Sequence, residues 1–184
     1  MSLVAFRAQN HPQQAVKPDV DDRALPPADF AILQNRFGFT IDAAAAPHNA
    51  KLARFFTAQD DALSQSWDGE RVYCNPPYSN ILPWVEKAWS EARAPLIVML
   101  LPANRTEQQW WQELIEPHRD RAGSRLRVEF LPGRLRFLKP GATSIRPNER
   151  PPFGCCLCIW SSADSVSRAI GSAPQRRLFA DLAA

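Results

Sequence analysis

Pro76 and Pro77 follow a short, mostly apolar run, Arg71 to Cys74, with only Asn75 between. Neither proline has a backbone N–H to give to a sheet and both fix φ, so a strand built on this run must stop there. Asn75 precedes a proline and is pushed to extended geometry, which leaves its carboxamide at the carboxyl end of the strand. In an open α/β sheet, that end is where ligands bind.

The residues at this strand end define a chemistry. The Asn75 side-chain oxygen accepts hydrogen bonds. The Pro76 carbonyl, beside prolines, is hard to draw into a regular ladder and offers a second acceptor. Two acceptors converging on one point suit an –NH2 group, and the Tyr78 ring offers a flat face for a planar heterocycle. Asn75-Pro76-Pro77-Tyr78 therefore reads as a socket for an amino group on an aromatic ring, such as the exocyclic amine of adenine. The plainer alternative is a strand-terminating turn with a core tyrosine.

The surrounding pattern is α/β. Residues 28–37 carry Phe30, Leu33 and Phe37 at helical spacing behind Pro26 and Pro27. Residues 37–42 read as a compact strand ending on Asp42. Residues 80–93 place Leu82, Val85, Ala88, Trp89 and Ala92 on one helical stripe, with Pro83 in the first turn and Ser79 or Asn80 as cap. Residues 95–102 are a continuous apolar strand between prolines, as in the buried middle of a parallel sheet. A helix carrying Trp110, Trp111, Leu114 and Ile115 begins at Asn104-Arg105-Thr106. Strand and helix in alternation predict βαβ units. Residues 126–130 and 135–138 read as a hairpin around Pro132-Gly133, and residues 153–160 as the last core strand.

At 184 residues the chain suits one domain with a sizeable core. Residues 1–23 read as a polar N-terminal arm, 24–162 as the folded domain, and 163–184 as a tail with a short helix over 164–170. No apolar run approaches a membrane span and residues 1–20 lack a signal-peptide core, so the expectation is a protein that stays in the cytoplasm. Cys155, Cys156 and Cys158 lie close together, but no second ligand pair accompanies them, and the flanking residues read as a buried strand in which cysteine acts as a small hydrophobe. No metal is expected.

Two further segments carry functional readings. Asp42 ends its strand before four alanines, residues 43–46, where dinucleotide-type folds place a glycine-rich loop. The carboxylate would either take an ammonium or ribose hydroxyl of a cofactor, with Ala43 and Ala44 as the small surface beside it, or simply cap a helix. The net charge of +3 is unevenly spread: residues 117–150 hold nine Lys/Arg against three acids. An arginine-rich stretch in an otherwise slightly acidic chain suits a polyanion, although a solvated basic face would read the same way.

Several blocks in order resemble one family. Phe37-Gly38-Phe39-Thr40-Ile41-Asp42-Ala43-Ala44, Asn49-Ala50-Lys51, Trp67-Asp68-Gly69, Asn75-Pro76-Pro77-Tyr78-Ser79-Asn80-Ile81, Trp84-Val85-Glu86-Lys87-Ala88 and Gly133-Arg134-Leu135-Arg136-Phe137 are similar to the phage-type DNA N6-adenine methyltransferases. The likeness runs over roughly residues 24 to 160. It implies a Rossmann-like methyltransferase fold, with a mostly parallel sheet flanked by helices and an antiparallel hairpin near the C-terminal edge. It also implies S-adenosylmethionine as cofactor and, in a bacterial host, double-stranded DNA as partner.

On that resemblance Asn75, Pro76, Pro77 and Tyr78 are catalytic, and the target base is flipped onto Tyr78. Pro26, Asp42, Ala43, Ala44, Asp61 and Leu63 meet the cofactor, with Asp61 on the adenine amine and Leu63 against its ring. Family members tend to carry Thr-Pro before the first helix; here Leu25 replaces the threonine. Arg134, Arg136, Lys139 and Arg146 face DNA. Rival readings are transfer to the N4 amine of cytosine or to protein glutamine, and a non-catalytic nucleic-acid-binding module of the same fold.

Overall fold

The computed structural model describes residues 21–144 and 153–162. The expected arm before residue 21, Arg146 and the expected C-terminal helix and tail lie outside these. Within them, five strands form one sheet in the order β1-β2-β3-β5-β4. They are β1 (Ile41–Asp42), β2 (Arg71–Cys74), β3 (Leu96–Pro102), β4 (Leu126–Phe130) and β5 (Cys155–Ser161). Helix α1 (Pro27–Phe37) precedes β1, α2 (Leu82–Ser90) joins β2 to β3, and α3 (Gln109–Leu114) lies between β3 and β4.

The sheet separates the two faces of the core by strand alternation. Val72, Cys74, Ile97, Met99, Cys156, Cys158 and Trp160 share one cluster with Val85 and Ala88 of α2 and Trp110 and Trp111 of α3. Tyr73, Leu96, Val98, Leu100, Cys155, Leu157 and Ile159 share the other with Phe30, Leu33 and Phe37 of α1. The result is three layers, with helices covering both faces. All four cysteines are free and buried. Among the described residues no group of three or more His, Cys, Asp or Glu is placed to hold a metal, and no helix is long and apolar enough to cross a membrane.

The sheet is mixed rather than mostly parallel. β1–β2 and β2–β3 pair parallel, but β5 lies antiparallel between β3 and β4 and supplies two antiparallel ladders. The expected hairpin does not form. β4 takes β5 as its partner, and the chain turns away at Pro132-Gly133, where Gly133 adopts φ +70°. Residues 135–138 instead cross the α1 face: Leu135 and Phe137 are buried there, and Leu138 makes an isolated antiparallel bridge with Ala24. The alternation that motivated the hairpin survives without it, since Arg134 is exposed and Arg136 half-buried between the buried apolar pair.

Three boundaries also move. Phe37 closes α1 instead of opening a strand, because Gly38 takes the left-handed conformation (φ 59°) and returns its N–H to the Gln34 carbonyl at 2.8 Å. α2 is entered through Ile81, whose apolar side chain cannot cap it, so neither Ser79 nor Asn80 is the cap. α3 starts only at Gln109, after turns that aim Arg105 back towards β2.

Candidate active site

Parallel pairing of β1, β2 and β3 brings their carboxyl ends to one edge, with Asp42 beside Tyr73 in register and Asn75 just beyond. The antiparallel β5 begins at the same edge, where Cys155 faces Pro102. The residue before it, Gly154, accepts from the Ala103 N–H at 2.9 Å. One cavity opens here, lined by Asp21, Arg23, Ala24, Leu25, Asp42, Ala44, Asn49, Lys51, Tyr73 and Asn75. It joins Asp42, Ala44 and Asn75, three of the residues expected from the sequence.

Asn75 is oriented from outside the motif. Its Nδ2 donates to the Arg23 carbonyl at 2.8 Å, and its buried Oδ1 has no partner among the described residues. The amide is thus fixed with its acceptor free. The buried Pro76 carbonyl likewise receives no hydrogen bond from the described residues. Tyr78 is held at both ends: its hydroxyl donates to the Leu100 carbonyl at 3.2 Å, and its carbonyl accepts from Arg105 Nη1. Its ring lies 6.1 Å from that of Phe153.

Asp42 is 2% exposed. Burial raises its carboxyl above the ordinary value, while N–H donors from Lys51 (3.0 Å) and Ala44 (3.3 Å) and the nearby Lys51 charge hold the shift back. Lys51 is half-buried, and loss of hydration lowers its ammonium against the pull of Asp42. Ala43 is buried and donates to the Tyr73 carbonyl at 2.8 Å, locking the turn after β1.

Residues 21–24 run across this edge. Asp21 accepts from the Ser79 N–H at 3.0 Å, and Asp22 holds His48 Nε2 (2.8 Å) and Asn49 Nδ2 (2.6 Å). Ala24 exchanges backbone bonds with Leu138. With this segment in place the cavity is about 30 Å³, the room of roughly one water. A cofactor-sized ligand needs on the order of 300 Å³ or more. The polar groups suit a zwitterionic, amine-bearing ligand, while the volume as it stands is too small for one.

The other expected residues lie around this centre. Pro26 stands at the α1 N-cap, where its carbonyl accepts from the Phe30 N–H at 2.9 Å. Asp61 is exposed with φ +49°, Leu63 is half-buried, and neither lines the cavity. Of the arginine-rich stretch, Arg119 is spent on Glu116 (2.9 Å), Arg125 on the Glu91 carbonyl (3.0 Å), and Arg127 on Glu129. Arg134 and Arg136 have no acidic partner among the described residues. Sequence reading singled out neither Lys51, Asn49 nor Arg105 as site residues. Lys51 and Asn49 stood in one of the family-like blocks, which was the available signal; Arg105 carried none.

A model of the DNA N-6-adenine-methyltransferase (Dam) family matches residues 13–173, most of the chain. The chain belongs to that family. Among curated relatives, the DNA N-6-adenine-methyltransferase of Haemophilus phage HP1 (strain HP1c1) is 37% identical over 89 residues, 46% of this chain and 51% of that protein. The protein of the same name from Escherichia phage T1 is 33% identical over 93 residues, 49% of this chain and 39% of that protein. The chain therefore spans about half or less of the length of these relatives.

Proposed function

We propose that this chain transfers a methyl group from S-adenosylmethionine to the N6 amine of adenine in double-stranded DNA. The observation that carries the reading is the buried, unpaired Asn75 Oδ1, set by the Arg23 carbonyl beside the Asp42 cavity. Family membership and the names of the phage relatives support the same activity.

The N6 lone pair of adenine is delocalised into the ring, which makes the amine a poor nucleophile. Asn75 Oδ1 and the Pro76 carbonyl accept its two hydrogens and draw the nitrogen towards tetrahedral geometry, localising that pair for attack. The cofactor supplies a methyl carbon activated by a sulfonium, so its leaving group departs as a neutral thioether. Asparagine is no base; the proton shed by the methylated nitrogen passes to water. Alignment and a dry, preorganised pair of acceptors provide most of the acceleration.

Asp42 takes the cofactor's ammonium, with Ala43 and Ala44 as the small surface against it and Pro26 beside it. Asp61 and Leu63, outside the closed cavity, are the candidate holders of its adenine. The cavity must widen for entry while Arg23 keeps its hold on Asn75. The base, flipped from the duplex, stacks on Tyr78. Arg134, Arg136, Lys139 and Arg146 meet the phosphates, a reading supported by the stretch between them reaching the site at both ends: Leu138 pairs with Ala24, and the Phe153 ring meets Tyr78.

The test is transfer of labelled methyl from S-adenosylmethionine to unmethylated duplex DNA, followed by digestion to nucleosides. Label in N6-methyladenine is expected. Label in methylcytosine would overturn the choice of base, and unlabelled DNA would overturn the activity.

A further inference from the structure

Tyr73 is 1% exposed, and its hydroxyl is buried with no hydrogen-bond partner among the described residues. Its ring is wedged between Phe30 (centroids 5.0 Å, edge-on) and Phe39 (5.4 Å), so the phenol has little freedom to find one. An unpaired buried hydroxyl is costly, and phenylalanine would fill the same space without that cost. Burial also pushes the phenol well above its ordinary pKa, which keeps it a neutral donor.

The cavity that Tyr73 lines contains a second donor, Lys51, whose ammonium feels the Asp42 carboxylate without forming a close ion pair with it. Lys51 is half-buried there, and no carboxylate among the described residues lies within ion-pair distance of its ammonium. Neighbouring groups are already engaged. Asp42 accepts from the Ala44 and Lys51 backbones, Asn49 donates to Asp22 and accepts from the Ala46 N–H, and Asp21 accepts from Ser79. No described group accepts from the Tyr73 hydroxyl, and an anionic ligand group could take that hydroxyl and the Lys51 ammonium together.

We propose that Tyr73 and Lys51 form a carboxylate-binding subsite, and that its occupant is the carboxylate of the cofactor's amino-acid end. This rests on the adenosylmethionine reading above. An α-amino acid presents an ammonium and a carboxylate on one carbon, and the cavity presents their complements: Asp42 on β1, Tyr73 opposite it on β2, and Lys51 in the same lining. Tyr73 and Lys51 are positioning residues for the reaction, since they touch the part of the cofactor remote from the transferred methyl.

Calorimetric titration of the free protein with S-adenosylmethionine and with its decarboxylated analogue tests this without turnover. The wild type is expected to prefer the carboxylate-bearing ligand by about tenfold or more, the worth of a charge-assisted hydrogen bond. Tyr73→Phe and Lys51→Met should each weaken S-adenosylmethionine by about that factor and leave the decarboxylated analogue unchanged, and Lys51→Arg should restore part of the preference. Tyr73→Phe should also melt no lower than the wild type, which separates ligand binding from a role in folding. Equal weakening of both ligands, or a preference that persists in Tyr73→Phe and Lys51→Met, would overturn the subsite. Binding of neither ligand by the wild type would instead remove the methyl-transfer reading, and the subsite with it.

Discussion

The Asn75 side-chain amide donates to the Arg23 backbone carbonyl across 2.8 Å, and this one bond fixes which end of the amide is donor and which acceptor in the site. A carbonyl can only accept, so the NH2 end is committed to Arg23 and Oδ1 is left as a buried acceptor with no partner among the described residues. The site is therefore built for an amide and not for the isosteric carboxylate.

Asn75→Asp is expected to destabilise the protein by about 1–3 kcal/mol, because an acceptor would replace the donor facing Arg23 in a buried place. Urea denaturation of the two proteins at neutral pH checks this. A carboxylate here would also be pushed towards its protonated form, so the loss should shrink as the pH falls through that group's raised pKa.

Cofactor affinity should fall on the acid side of neutrality with a midpoint above the ordinary aspartate value of about 3.9. The sign follows from Asp42: burial favours its neutral form, so ionisation is delayed to higher pH, and only the ionised form attracts an ammonium. For the free protein the same shift stabilises the fold below the unfolded value and is lost as the pH rises through the folded one. Calorimetric titrations across the acid range should show the limb in the wild type and none in Asp42→Asn.

The four thiols should resist modification in the folded protein. All are buried, and burial with the neighbouring Cys156 pushes the Cys155 thiol up to about 12, which leaves almost no thiolate to react. A chromogenic disulfide reagent at pH 8 should titrate none of them natively and four after denaturation.

Arg134→Ala and Arg136→Ala should each weaken DNA binding evenly across sequences and lower the slope of log affinity against log salt by about one. The preference for adenine should be unaffected. Fluorescence anisotropy with two unrelated duplexes over a salt series measures both.

How much of this was legible in the sequence depended on how local each cause was. The end of β2 and the place of Asn75 follow from two prolines, and α1 from its apolar spacing. The β5 cysteines were recognised as core because their flanks are apolar. The hairpin failed because Pro132-Gly133 encodes a turn but not a partner: β4 pairs with β5 and Leu138 with Ala24, both distant in sequence. Gly38 after Phe37 was a helix-stop signal that could have placed the end of α1. Tyr73 read as one more apolar strand residue, since an unpaired phenol shows only in three dimensions. The Arg23 contact with Asn75 links the expected arm to the motif and has no sequence signature at all.

The most direct test of the account is the single-turnover rate of methyl transfer to duplex DNA by wild type and Asn75→Ala at saturating cofactor. A rate lower by about a hundredfold or more is expected in the variant, with cofactor binding retained, because a preorganised acceptor is removed from the reacting amine. A variant that transfers methyl at the wild-type rate would contradict it.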